Sequence, residues 1–169
     1  EAPPERTLKV QWRERTVTVP VLERPLSGSR LSGPSSIDGP VGQAVNFVIS
    51  SEGETLRGLD VQSREGASTV ECDGSRCAVR WVPGDAPFPR AIPIVISNPA
   101  HPKSTPVVVT ARLIARPTIP VTTEPGARVS LTVGGRETET KVADNTGTVR
   151  FKVDVYPGDE RALVSLEDA

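Results

Sequence analysis

The sequence predicts an all-β protein, and three observations carry that prediction. Valine-rich runs alternate with polar residues, and no stretch sustains the three-and-four apolar spacing of a helix. Gly (14) and Pro (17) are spread along the 169 residues without a period, which signals many short strands joined by turns. A short pattern also occurs twice. Gly42-x-x-Val45-x-Phe47-x-Ile49 recurs as Gly126-x-x-Val129-x-Leu131-x-Val133, each after a Pro-containing turn (Pro40, Pro125). Val79-Arg80-Trp81 leads to Pro83-Gly84-Asp85, as Val149-Arg150-Phe151 leads to Pro157-Gly158-Asp159. A turn, an alternating strand and a second strand closed by Pro-Gly-Asp read as one β-unit used twice.

In chain order, residues 1–6 form a polar, Pro-rich tail. Leu8, Val10 and Trp12 alternate with polar residues, and Val17, Val19 and Val21 do so after a charged Arg13-Glu14-Arg15 turn. These segments read as a β-hairpin or a pair of edge strands with one apolar face. Residues 25–40, rich in Ser, Gly and Pro, read as a flexible connector or long loop. Residues 1–38 are therefore an N-terminal piece.

The first β-unit is expected over 39–115, with strands at 43–50, 58–63, 67–72, 77–82, 91–97 and 105–114. Its last two, centred on 92–96 and 107–109, are apolar enough to be buried on both faces or nearly so. Pro93 would remove a ladder hydrogen bond from a central strand, which places it at an edge or a bulge. The second, smaller unit is expected over 116–169, with strands near 118–122, 127–133, 136–143, 147–155 and 160–167. At about 54 residues it is near the lower limit for a self-sufficient core. It is expected to pack on the first unit or to borrow the N-terminal hairpin.

Charge and composition exclude several roles. The net charge of −1, from 20 basic and 21 acidic residues, leaves no basic cluster to displace counterions from phosphates, so no nucleic-acid partner is expected. No apolar run approaches the roughly 20 residues of a membrane helix, so no membrane insertion is expected within this segment. The chain has no Met and opens Glu-Ala-Pro-Pro, which reads as a processed form or an excised fragment with a signal peptide or anchor upstream.

Cys72 and Cys77 flank an Asp73-Gly74 turn in what reads as a four-residue hairpin loop. They are placed to reach the Cα separation of roughly 5.5–6 Å that a disulfide prefers. Closing so short a loop contributes about 2 kcal/mol in the chain-entropy model. Free thiols are the second reading and a metal site the third, because zinc takes about four ligands and the chain offers two Cys and one His. A disulfide implies an oxidising compartment.

Further on, Asp144-Asn145-x-Gly147-x-Val149-x-Phe151-x-Val153 follows Pro125-Gly126-x-x-Val129-x-Leu131-x-Val133 and precedes Pro157-Gly158. This succession resembles bacterial immunoglobulin-like (Big-type) domains over 124–166, and more loosely over 39–113 through 42–49, Asp73-Gly74 and 81–84. The resemblance implies tandem immunoglobulin-like β-sandwiches. It further implies a spacer, adhesion or docking role in the periplasm or on the bacterial surface, with other envelope or surface proteins as partners. It brings no catalytic residues.

Each residue with chemical potential has a plainer reading beside it. His101, the single histidine, sits in a Pro-bracketed loop that reads as an exposed turn, and no catalytic role is expected. Asp73, Asp144 and Asn145 could offer oxygens to calcium, but turn chemistry is the stronger explanation. No metal or other cofactor is expected. Trp12, Trp81, Phe47 and Phe151 fall in phase with apolar neighbours and read as core. Phe88, between Pro87 and Pro89, stands apart as a candidate interaction anchor. Arg76, at the base of the Cys72–Cys77 loop, and Trp12, on the N-terminal hairpin edge, are the other candidates. The expectation is a non-enzymatic structural or protein-docking module, the alternative a carbohydrate-binding or adhesion module.

Overall fold

The structure is a computed structural model that describes residues 7–12, 15–20 and 30–167. It is all-β, with no helix among the described residues. Among the described residues, sixteen strands form five sheets. β1 (Thr7–Trp12) and β2 (Arg15–Pro20) make a hairpin in which Leu8 pairs with Val19 and Val10 with Val17. Among the described residues these two strands pair only with each other.

Eight strands build the first core. They are β3 (Leu31–Ser32), β4 (Ser36–Pro40), β5 (Val45–Ser51), β6 (Asp60–Gln62), β7 (Ala67–Asp73), β8 (Arg76–Val82), β9 (Arg90–Ser97) and β10 (Val107–Ile114). One sheet has the order β3-β5-β8-β7 and the other β4-β10-β9-β6. Alternate residues of both sheets meet in one cluster: Phe47, Ile49, Val79 and Trp81 from the first, and Ile92, Ile94, Ile96, Val109 and Leu113 from the second. Period-2 alternation gives each strand one face for this cluster and one for water.

Three expectations change here. Residues 25–40 are not simply a connector, because they contain β3 and β4, and Leu31 belongs to the core. β4 lies parallel to β10, whose Thr110 N–H reaches Ser35 O at 2.9 Å. Backbone hydrogen bonding does not depend on composition, so a Ser- and Gly-rich segment can still complete a sheet edge. Second, 92–96 and 107–109 bury one face only: Ile92, Ile94, Ile96 and Val109 point inward, while Val95 and Val108 are exposed. Third, the hairpin loop between β7 and β8 has two residues, not four. Asp73 pairs with Arg76, and Gly74 takes φ 60°, as a primed two-residue turn requires at its first position. Pro93 does sit at a local edge. It faces Thr110 on one side, and β6 pairs only with 95–97 on the other.

A second cluster is built by β11 (Thr118–Thr122), β12 (Arg128–Val133), β13 (Arg136–Glu137), β14 (Lys141–Val142), β15 (Thr148–Lys152) and β16 (Ala162–Glu167). Val129, Leu131, Val133, Val149, Phe151 and Val153 form it, with Ile119, Val121 and Val155 packed around them. β12 pairs with β16 and, on short stretches, with β13 and β14; β11 pairs with β15. The expected strand over 136–143 is thus broken. Between the pairs 132–137 and 129–141 one strand has an extra residue, a bulge. Thr138 closes it, donating its N–H to Leu131 O (2.7 Å) and accepting from Leu131 N–H through Oγ1 (3.1 Å). The expected borrowing of β1 and β2 by this unit is not seen in the strand pairing.

The repeated sequence pattern therefore does not repeat the pairing. β5 and β8 are neighbours in one sheet, whereas β12 and β15 belong to different sheets. What repeats is burial: Val45, Phe47 and Ile49 match Val129, Leu131 and Val133, and Gly42 and Gly126 both take left-handed φ. Separate clusters predict separate responses to mutation. Phe151→Ala should cost about 3–5 kcal/mol and strip amide-exchange protection from β12 and β15, leaving β9 and β10 unchanged. Equal loss in both clusters would show that they unfold as one.

Candidate functional site

The structure puts the candidate residues at opposite ends of the first core. Arg76 begins β8 and Val82 ends it, so Arg76 and the loop 83–89 that carries Phe88 are separated by seven residues, roughly 20 Å. At the Arg76 end, Cys72 and Cys77 are joined as a disulfide with a Cα–Cα distance of 4.0 Å. This is shorter than the separation expected from sequence, because the two residues face each other directly across the hairpin. Ser51 N–H to Ser75 O (2.9 Å) and Leu56 N–H to Gly74 O (2.8 Å) fasten the tip to the neighbouring loop. Trp12 lies in β1, and its side chain is outside the described residues.

His101 is at this end too, and it is not a free exposed turn residue. Its Nε2 lies 2.8 Å from Glu54 Oε1, with the side chain 30% exposed. The loop folds on itself: His101 N–H donates to Asn98 O, and both Ser104 N–H and Ser104 Oγ donate to His101 O. The neighbouring hydroxyl is thus spent on the backbone and is not aimed at the imidazole.

The opposite end holds the more organised arrangement. Phe88 is 58% exposed, in a loop without regular structure, yet its backbone is held from beneath. Arg90, 7% exposed, salt-bridges Glu65 (2.6 Å) and donates Nη1 to Ala86 O (2.9 Å) and Phe88 O (3.1 Å) and Nη2 to Gly84 O (3.0 Å). Its guanidinium carbon lies 5.3 Å from the Phe88 ring centroid, a cation–π distance. Trp81 Nε1 donates to Ser63 Oγ (3.1 Å) and lies 3.3 Å from Glu65 O, which ties the 63–65 turn to the same platform. The planar fork of arginine can serve several carbonyls at once, which a lysine ammonium cannot match in geometry.

Sequence reasoning missed Arg90. Its signal was available, since Arg90, Ile92, Ile94 and Ile96 share one inward row, and a charge in such a row must find partners.

Beyond Leu113, which pairs with Arg90, the chain passes into the second unit. Ala115 and Val155 exchange backbone hydrogen bonds of 3.0 and 2.8 Å. Two guanidinium groups lie over the Tyr156 ring, Arg112 of β10 at 5.5 Å and Arg136 of β13 at 4.6 Å from its centroid. Arg116 pairs with Asp154 and Arg136 with Asp159. A groove of about 610 Å³ opens here, lined by Asp38, Gln43, Arg116, Lys152, Asp154 and Tyr156 among others. Within its lining Arg116 and Asp154 neutralise each other, and Asp38 pairs with Arg112 of β10. The contacts that link the two units here are the Ala115–Val155 backbone pair and Arg112 over Tyr156.

Hydrogen bonds explain the carboxylates. The Arg116 side chain lowers the pKa of Asp154 below its ordinary 3.8, and the Arg136 side chain, with the Tyr156 N–H, does the same for Asp159. The carboxylate of Asp144 is also lowered, by Thr146 and Thr148: its Oδ1 accepts from Thr146 Oγ1 (2.6 Å) and from both backbone N–H groups (2.9 Å each). This is the turn chemistry expected from sequence. Gly147 completes it at φ 75°, where a Cβ would run into Thr123 O. Among the described residues no group of three or more His, Cys, Asp or Glu could hold a metal ion, and no helix is long and apolar enough to cross a membrane.

No protein-family model matches the chain, and no curated protein is similar to it. Among solved structures it is similar to the adhesin InvE of Yersinia pseudotuberculosis, at 10% identity and a TM-score of 0.37, over 80% of this chain and 54% of that one. The chain thus spans about half the length of that structure, and so loose a superposition adds nothing to the topology read from the strands.

Two predictions follow from this geometry. Arg90→Ala should destabilise the first core by on the order of 3 kcal/mol, because it strands Glu65 and three loop carbonyls. Arg90→Lys should recover only part of that in urea unfolding, and wild-type stability in both variants would refute the platform. The junction carboxylates should respond to acid. Their folded pKa values lie below the unfolded ones, so their contribution is present at neutral pH and is lost as pH falls below about 4. NMR titration of Asp154 and Asp159 checks this, and ordinary carboxylate midpoints would contradict it.

Proposed function

We propose that this chain is a non-enzymatic docking module of a bacterial envelope or surface assembly, working outside the cytoplasm. In this reading the two clusters are tandem immunoglobulin-like β-sandwiches. The first runs to 115 and starts upstream of the expected residue 39, at Leu31; the second covers 116–169. The observation that carries the reading is the Phe88 loop. An aromatic ring displayed to solvent on a backbone fixed by a buried arginine is pre-organised for contact, so little ordering entropy is lost when a partner docks. The Cys72–Cys77 disulfide supports an oxidising compartment. Engagement of the Ser104 hydroxyl by the His101 carbonyl leaves that serine turned away from the imidazole, which is in keeping with a role without catalysis. The fastened junction suits a spacer that sets distance and orientation between what binds at either end.

A cross-linked pull-down from solubilised bacterial envelope tests the reading. One or two reproducible envelope proteins should be captured, with Phe88→Ala reducing recovery at least tenfold and Arg76→Ala, at the far end, leaving it intact. Unchanged recovery with Phe88→Ala would remove the loop as the contact. Retention of polysaccharide in place of protein would favour the carbohydrate-binding alternative.

A further inference from the structure

We propose that the β1–β2 hairpin of one copy docks on the open inner face of β16 in a second copy, giving head-to-tail self-association. The starting observation is an imbalance between the two clusters. Among the described residues, a four-stranded sheet faces another four-stranded sheet in the first, whereas in the second the sheet facing β12 and β16 has the two strands β11 and β15. The missing cover falls on β16. Its register sets Ala162, Val164 and Leu166 opposite Val133, Leu131 and Val129, so all six share the inward row. The β12 members are buried, at most 5% exposed, whereas Val164 is 48% and Leu166 57% exposed. Leu163, on the other face, is 63% exposed. Among the described residues the outer edge of β16 pairs with nothing, so it presents both unpaired backbone groups and apolar surface.

The occupant is on the same chain. β1 and β2 are a two-stranded sheet with no other strand partner among the described residues, and such a hairpin is marginal in water by itself. Its register places Leu8 with Val19 and Val10 with Val17 on one face, an apolar row by sequence. Its strands are six residues long, as is β16. Two strands are what the second cluster lacks relative to the first. Charge agrees: residues 7–20 carry Lys9, Arg13 and Arg15 against Glu14, net +2, and residues 160–169 carry Glu160, Glu167 and Asp168 against Arg161, net −2.

Reach favours a second copy over the same chain. Leu31 pairs with Ser51, at the disulfide end of the first core, away from the second unit. The eleven residue steps from Pro20 to Leu31 span at most about 36–40 Å. The length of β10 alone is about 26 Å, and β16 belongs to the unit beyond the end of that strand. The chain's own hairpin would need a taut linker drawn along the whole first core; a neighbour's has no such limit. Because the donor and acceptor surfaces differ, the contact is heterologous and propagates unless it closes into a ring. It does not depend on the Phe88 reading, since neither element contributes to that loop.

Light scattering on the full chain over a concentration series tests this. The mass average should rise from monomer to multiples, and less so in high salt. Val10→Asp and Leu166→Asp should each remain monomeric, while an equimolar mixture should form a 1:1 dimer and nothing larger, because one partner keeps the face and the other the hairpin. Phe88→Ala should behave as wild type, which separates this association from loop docking. Retained amide protection in β9, β10 and β12 shows that each variant is folded. A wild type that stays monomeric into the millimolar range, or single variants that assemble as wild type does, would overturn the proposal. So would a monomeric wild type in which Val10→Asp exposes β16, the signature of docking within one chain.

Discussion

One face per strand is all that this chain can bury, and the rest of the structure is arranged around that constraint. Successive side chains on a strand point to opposite sides, so a core forms only where two inward rows meet. In the first unit they meet completely. Trp81, Ile49 and Val79 from one sheet and Ile92, Ile94 and Leu113 from the other are sealed from solvent, and the outward rows are left to Arg, Thr and scattered valines. Four strands on each side are enough to close the layer at its margins, with β3 and β4 added from a segment that carries few apolar side chains.

Closing two layers leaves loops at their ends, and their carbonyls must find donors. This chain repeatedly uses arginine for that purpose. Arg90 reaches inward beneath 83–89 and ties three carbonyls to Glu65. Arg136 holds Asp159 of the second Pro-Gly-Asp turn, donates to Asp154 O and lies over Tyr156. Arg112 reaches the same ring from the first unit. The loop under Phe88 and the second Pro-Gly-Asp turn are thus held in the same way, by guanidinium groups whose fork serves several acceptors in fixed geometry. A surface aromatic such as Phe88 gains its pre-organisation from this, because the ring is mounted on a backbone that Arg90 holds at three carbonyls.

The second unit meets the same constraint with fewer strands. Phe151, Leu131 and Val129 are as well buried as anything in the first core, but the row they belong to extends onto β16 and is exposed there. What remains open is an edge strand with apolar residues on both faces, which natural proteins usually protect.

The sequence by itself determined the fold class, the approximate strands and most of the core. Alternation is a local property and survives in any pairing, so Phe47, Trp81 and Phe151 could be placed inward without knowing their neighbours. The Cys72–Cys77 bridge and the Asp144 turn were legible for the same reason, since both are closed within a few residues. Of the candidate site, the exposed Phe88 could be read from its Pro-framed loop. The platform beneath it could not, because Arg90 acts through Glu65, 25 residues away in sequence, although its place in an inward row was a visible sign. Tertiary structure alone decided that a Ser- and Gly-rich stretch supplies β4, that β12 and β15 sit in different sheets despite the repeat, and that Tyr156 meets arginines of both units. Each of these depends on which strands become neighbours. Periodicity marks the face a residue shows but does not name the residue it will meet there.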